Sequence, residues 1–440
     1  MYAKKRMVKI FDFIIIATAI SLLSVMVLNS CSDDIKNTIT YTVNEPVYMP
    51  LAEFRTPPPV KPAQEVVNPG KICLYGNYIF INEINKGFHV IDNTNPASPR
   101  PVAFVDLPGN IDITVKDNLL FADSFIDLVW FDIAQPAQLQ ATGRLQEAFP
   151  NVLPPIDNKY PVKEIDNSKG VVVGWEVKTI TEEEQRNSYI PYPWKNCPTC
   201  YYLDKAAYAN SEGISGGGVS GVTTLTGSTA RFAAYGDYLY VVTSSMLKVF
   251  ALSGNTVTKG SEQYLNWNTE TIFAYGQKLF LGTTTGLLIY DITNPAAPAR
   301  LSSLSHVMGC DPVVVQGNYA YVTIRGGNAC GQELSLLDVV DISNPSTPYL
   351  KVSFDMNSPY GLGIDGHTLF VCDNGLKVFD ASDPLQIGAR QVKHFTGING
   401  FDVIPYNNIL LLIGSDGLYQ YDYSDIRDIK QISVLKVTTK

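Results

Sequence analysis

The chain has 440 residues, 45% of them hydrophobic, with 25 Tyr and 19 Phe, which supplies a large core and excludes an intrinsically disordered chain. Its formal net charge is −9; Met1 to Ser30 hold four basic residues and one acidic one, so the remainder stands at −12. An acidic balance of that size works against nucleic acid or a bare anionic membrane surface as partner.

The first element is a targeting segment, residues 1–30. Lys4, Lys5, Arg6 and Lys9 form a basic start, and Phe13 to Leu28 form an apolar run of 16 residues, short of the roughly 20 that span a bilayer comfortably. Leu28-Asn29-Ser30-Cys31 follows at once. This tetrapeptide resembles the lipobox of bacterial lipoproteins, with Asn29 an unusual occupant of its position. The resemblance implies that Cys31 becomes the acylated N-terminus, and Ser32-Asp33-Asp34 resembles the acidic tag that sends some lipoproteins to the outer face of the outer membrane. Residues 31–65, with Pro46, Pro50, Pro57, Pro58, Pro59 and Pro62, read as an extended, semi-rigid tether.

From residue 66 onward a repeat governs the chain. Six strands end in Asp: Gly87-Phe-His-Val-Ile-Asp92, Asp127-Leu-Val-Trp-Phe-Asp132, Gly286-Leu-Leu-Ile-Tyr-Asp291, Leu336-Leu-Asp-Val-Val-Asp341, Gly375-Leu-Lys-Val-Phe-Asp380 and Gly417-Leu-Tyr-Gln-Tyr-Asp422. Met246-Leu-Lys-Val-Phe-Ala251 is a degenerate copy, and four of the strands run on into an Asn-Pro or Asp-Pro turn. Upstream lie hairpins of the form Gly-Asn-Tyr-Ile-Phe, at Gly76, Gly236, Gly276, Gly317 and Gly366; Gly236 to Gly276 is 40 residues and Gly276 to Gly317 is 41. A period near 40 built only of short strands predicts the blades of a β-propeller, because one such unit cannot bury both of its faces alone. The fold expected for residues 66–440 is therefore all-β: four-stranded antiparallel blades, seven in number, or eight if residues 151–226 hide a further copy. Those residues read better as an insertion of loop and lid composition, with Tyr192, Trp194, Cys197-Pro-Thr-Cys200, Tyr201, Tyr202 and Gly216-Gly-Gly. The one stretch with helical periodicity is Thr181 to Asn187.

The strands Leu287-Leu-Ile-Tyr-Asp291 and Leu337-Asp-Val-Val-Asp341, each followed by Ile-Thr/Ser-Asn-Pro, resemble the LVIVD repeat of bacterial and archaeal β-propellers. The resemblance implies a propeller, often exported, and is silent on activity.

Most chemically suggestive residues have a structural explanation. An Asp that ends a strand before Asn-Pro caps the turn by accepting a backbone N–H. No calcium loop of the Asp-x-Asp-x-Asp-Gly type, no Gly-x-Ser-x-Gly elbow, no His-Glu-x-x-His helix and no Walker loop is present, so no metal or cofactor is expected. Cys73 and Cys372 alternate with apolar residues inside strands and read as small buried hydrophobes. Cys197 with Cys200, and Cys310 with Cys330 across one hairpin, are disulfide candidates in an exported chain. His89 reads as a blade residue; His306, beside Met308-Gly-Cys-Asp311, is the one His placed to face the axis.

Function is expected on the face where the blade-to-blade connections meet the loops between second and third strands. Asp112, Asp123, Arg231, Glu270, Asp311, Arg325, Tyr360, Asp373, Asn399 and Asp402 fall there. Trp194, Tyr201 and Tyr202 from the insertion enter from the same side and would cover the axial mouth or form the lid's own small core. The expected role is a binding or scaffolding module, held to the outer membrane by its lipid, taking a glycan, peptide or protein ligand. Two alternatives differ in class: a hydrolase or lyase on a glycan or peptide, using Asp112, Asp311 and Asp402 with Arg231 or Arg325, and a structural component of an outer-membrane assembly. Two accessible carboxylates would mark the first alternative, an exposed apolar patch the second, and a lined pocket the binding module.

Overall fold

The structure is a computed structural model that describes residues 38–150, 152–183, 228, 230–306, 312–326 and 334–438. Among them, seven four-stranded antiparallel sheets form the blades of a propeller, each built from one continuous stretch. Blade 1 spans residues 69–106, blade 2 113–145, blade 3 232–264, blade 4 269–305, blade 5 313–355, blade 6 359–395 and blade 7 400–436. The first strand of each blade is innermost.

The repeat explains itself locally. The hairpin joining the first two strands needs a left-handed residue, and Gly76, Gly236, Gly276, Gly317 and Gly366 supply it with φ of 54 to 60°. In blades 2 and 7 Asp117 and Asn407 take that conformation at φ 53° and 50°, which Asp and Asn tolerate better than other side chains. At the end of the third strand all six repeated Asp residues accept the backbone N–H two positions on, from Thr94, Ala134, Thr293, Ser343, Ser382 and Ser424 at 2.6–3.0 Å. The capping role expected of these carboxylates is therefore what the structure shows.

The Asn-Pro turn also latches neighbouring blades. Its carbonyls accept hydrogen bonds from the preceding blade: Ser261 to Ala296 O, Ser302 to Pro345 O and Ser433 to Pro96 O, at 2.6–2.7 Å. Blade 3, the copy lacking both Asp and Asn-Pro, turns instead through Gly254-Asn255.

Seven apolar cores lie between the blades, one per interface, and each inner strand serves two of them. Leu287 and Ile289 enter the core between blades 4 and 5, whereas Leu288 and Tyr290 enter the one between blades 3 and 4. That is why the repeat reads as an unbroken apolar run instead of an alternating one. Cys73 and Cys372 are free thiols, fully buried in two of these cores, as their strand context suggested.

Ring closure uses no exchanged strand. Blades 7 and 1 meet through Ile72, Ile79, Ile404, Leu411 and their neighbours. At the outer edge of that core Gln420 and Asn93 bond reciprocally through their amides at 2.7 and 3.1 Å, and Thr438 N donates to Val66 O at 2.8 Å. Closure removes the exposed inner edges that an open array would leave.

The segment ahead of the blades is part of the fold. Within the span read as a tether, Thr38–Met49 pairs antiparallel with Val171–Glu183 from the insertion, making a two-stranded ribbon. Both strands are rich in β-branched residues; Thr40 faces Thr181 and Thr42 faces Thr179 within hydrogen-bond distance. Residues 181–183, expected as the edge of a helical stretch, end this strand instead. Val60–Pro62 then adds a fifth strand to the outer edge of blade 1. The ribbon's base packs Phe54 and Val171 on Phe125, in the turn between the second and third strands of blade 2, and Arg55 and Arg144 both bond the buried Asp127. The ribbon thus stands on the middle and outer part of blade 2. The described part of the insertion forms no eighth blade.

Candidate functional site

The blade-to-blade connections and the loops between second and third strands converge on one face, as expected, and its two sides differ in chemistry.

Over blades 1 to 3 the charged groups are turned into one another. Five positions before the left-handed residue of the first hairpin stands Lys71 in blade 1, Asp112 in blade 2, Arg231 in blade 3 and Asp402 in blade 7, so charge alternates around that half of the ring. The same position holds Thr271, Pro312 and Gly361 in blades 4 to 6. Asp112 Oδ2 accepts the Arg231 backbone N–H at 2.6 Å, and the Arg231 guanidinium reaches Asp123 at 3.1 Å. Asp123 Oδ1 also accepts from the backbone of Ile111 and Asp112 and from the Asn110 amide, at 2.7–3.0 Å. Burial pushes the Asp112 carboxyl up to about 6, against the opposing pull of Lys71 and Arg231. Sequence reasoning brought Asp112, Asp123 and Arg231 to one place, and they do meet. Asp112 and Asp402 are, however, fully buried, whereas a catalytic acid or base must reach its substrate. The cluster binds blades 2 and 3 together.

Over blades 6, 7 and 1 the same face opens into a cleft of about 570 Å³, within the usual range for a small-molecule site. It is lined by the loops leading into these three blades: Asn68 before blade 1, Asn357, Ser358 and Tyr360 at blade 6, and Asn399 and Phe401 at blade 7. Asn374 and Ser415, from the turns between second and third strands of blades 6 and 7, complete the rim. Among the described residues, no charged side chain lines the cleft.

Equivalent carboxylates hold two of these loops from behind. Glu83 ends the second strand of blade 1 and accepts the backbone N–H of Val67 and Asn68 at 3.0 Å, while His89 and Lys86 bond it at 3.1 Å. Burial raises its carboxyl, but those four donors outweigh burial and hold it at about 2. Asp373 ends the second strand of blade 6 and accepts the backbone N–H of Asn357 and Ser358 at 3.1 and 2.7 Å, with Lys377 at 2.7 Å. Here too burial is outweighed, and the group lies below the ordinary aspartate range. Arg325 fixes the third element: its guanidinium carbon sits 3.9 Å over the Tyr360 ring, and Thr323 Oγ1 donates to Tyr360 O at 2.7 Å. The rim is organised before any ligand arrives.

Of the residues singled out in the sequence, Tyr360 and Asn399 line this cleft, Arg325 and Asp373 support it, and Asp112, Arg231 and Asp402 do not enter it. Glu270 is buried in blade 4. Asp311, Cys31, Trp194, Cys197, Cys200, Tyr201, Tyr202, Cys310 and Cys330 lie outside the described residues. Asn68, Asn357, Ser358, Asn374, Phe401 and Ser415 were missed. One signal pointed to two of them: the small polar residue Asn399, three places before Asp402, recurs as Asn68 before Lys71 and as Ser358 before Gly361.

The sequence model of the LVIVD repeat matches residues 69–106 and 310–356. No curated protein matches the chain. In fold it is similar to the computationally designed protein Ika8, at TM-score 0.48 and 10% identity over 86% of this chain and 91% of that one. It is also similar to Sqt1 of Saccharomyces cerevisiae, at 0.46 and 10% over 85% and 86%. A third likeness is to PorZ of Porphyromonas gingivalis, a surface component of a type-IX secretion system, at 0.45 and 11% over 84% of this chain and 39% of that one. At these scores no ligand or activity passes from them to this chain. Among the described residues the chain is a propeller of seven blades, of which blades 1 and 5 match the model of the LVIVD repeat.

Proposed function

We propose that this protein is an exported, lipid-anchored propeller that binds a ligand in the cleft over blades 6, 7 and 1 without transforming it. The observation that carries the binding role is the contrast within one face: its buried carboxylates are engaged in holding blades or loops, while a pre-organised cleft presents uncharged polar groups and two aromatic rings to solvent. An assembly role would favour a contiguous apolar surface. Among the described residues, the exposed large apolar side chains are spread over the ribbon (Tyr41, Val177), outer strands (Tyr264, Tyr349, Leu350) and a hairpin (Tyr406).

The anchoring half of the proposal rests on the segment ending in Leu-Asn-Ser-Cys31. The ribbon begins at Thr38, seven positions beyond Cys31, so its open end stands within about 25 Å of the anchor. Mass spectrometry of the mature protein from the membrane fraction tests this half. A diacylated or triacylated Cys31 at the N-terminus is expected; an intact Met1 or a free thiol at Cys31 overturns it. A thermal-shift screen of small ligands against wild type and Tyr360→Ala tests the binding half, since a ligand stabilises the state it binds. Shifts that vanish in the variant support the cleft, and shifts equal in both proteins place the site elsewhere.

A further inference from the structure

From the chemistry of the cleft we infer that its ligand is an uncharged carbohydrate: a short segment of neutral glycan lying across the loops that lead into blades 6, 7 and 1. The inference rests on the cleft being the ligand site and adds what that site selects.

Charge is the first consideration. Glu83 and Asp373, the acidic groups that hold two of the lead-in loops, sit behind them and accept from backbone N–H groups, the Asn357 amide, His89, Lys86 and Lys377. The cleft therefore offers neither a cation for a phosphate, sulfate or uronate nor a carboxylate for an amine. A charged ligand would lose its hydration there with no counter-charge to replace it.

The second consideration is the type and state of the polar groups. Asn68, Asn374 and Asn399 are exposed, and among the described residues their side-chain amides engage no other protein group. Ser358 and Ser415 present hydroxyls in the same condition. An amide carries donors and an acceptor side by side, which matches the vicinal hydroxyls of a sugar, each of which both donates and accepts. A peptide strand asks for something else: a sheet edge with free backbone groups. The lead-in loops of blades 1 and 6 do not offer these, because Glu83 and Asp373 already take the N–H groups of Val67, Asn68, Asn357 and Ser358.

The third consideration is the pair of rings. Tyr360 and Phe401 are half-buried, each the second residue of the innermost strand of blades 6 and 7, and line the same cleft. Arg325 covers one face of Tyr360 at 3.9 Å and fixes its plane. Rings held rigidly at a polar surface supply apolar area for the C–H face of a pyranose at little conformational cost.

The test uses full-length protein in a detergent without a sugar headgroup. Binding is measured to an array of neutral oligosaccharides (glucans, mannans, xylans and N-acetylglucosamine oligomers) beside uronate, sialylated and sulfated counterparts, with affinities then taken by calorimetry. The expected result is binding to one neutral series, unchanged between low and high salt. Binding should fall about tenfold or more in Phe401→Ala and in Asn399→Ala and persist in Tyr360→Phe, which keeps the ring. Circular dichroism confirms that each variant is folded. Salt-sensitive binding of acidic glycans that these variants abolish would overturn the inference while leaving the cleft as the ligand site. Neutral-glycan binding untouched by the variants would overturn both. Absence of binding to every neutral series overturns the inference alone.

Discussion

The two sides of the axial face are built from neighbouring positions of the same repeat, yet they serve opposite ends. Over blades 1 to 3 those positions carry charge, and each charge faces another across a blade boundary: Arg231 of blade 3 bonds Asp112 and Asp123 of blade 2. Over blades 6, 7 and 1 the surrounding loops carry amides and hydroxyls, and those of Asn68, Ser358, Asn374, Asn399 and Ser415 belong to exposed residues. A charge placed near the axis must be neutralised by the protein because burial removes its water. A neutral amide at the rim stays hydrated and remains available. Charged residues were the more conspicuous candidates in the sequence, and the structure assigns them to cohesion.

The largest effect expected to test this contrast comes from Arg231→Ala. It leaves Asp112 fully buried and Asp123 nearly so, without their guanidinium partner, and breaking such a pair costs about 3–5 kcal/mol. The partial exposure of Arg231 puts the expected loss near the lower figure. Chemical denaturation measures it, with ligand binding per folded molecule unchanged. A variant as stable as wild type would remove the structural role of this side.

A smaller effect lies in the pH dependence. Asp112 ionises near pH 6 when folded and near 3.8 when unfolded. Between those values the unfolded state has released a proton that the folded state still holds, so this group makes stability fall as pH rises from about 4 to about 6. The two-unit difference corresponds to on the order of 2–3 kcal/mol. Comparing wild type with Asp112→Asn isolates it: the asparagine variant should gain relative stability across that window, and an NMR titration of Asp112 should centre near pH 6. A midpoint near 4 would show that Lys71 and Arg231 outweigh burial.

The smallest effect on stability belongs to the cleft. Asn399→Ala removes an exposed amide, and such surface changes move stability by only about 0.5 kcal/mol. A much larger loss would mean that the amide is structural and that the two sides are alike.

Much of the fold was legible because the repeat is written in local rules. A left-handed hairpin residue, an Asp that caps its own turn and a strand buried on both faces each leave a mark within a few residues of sequence, and Gly276, Asp291 and Leu287-Leu-Ile-Tyr carry all three. The ribbon was missed for the opposite reason. Its strands pair Thr38 with Glu183, and the prolines in and after the first strand suggested a tether because the strand's partner lies far along the chain. The cleft was legible only in part: Tyr360 and Asn399 stood out beside the strands, whereas Asn68 and Asn374 look like ordinary turn residues.

What the sequence determined alone is the blade, since its turns, caps and apolar runs act over short range and repeat. What only the tertiary structure decided is which blades meet and what their edges hold. Gln420 closes the ring on Asn93, Arg231 finds Asp112, and Asn68 joins Asn399 at one rim because the chain returns to its start. Contacts of that separation are set by the number and pitch of the blades packed between them, which no single repeat records.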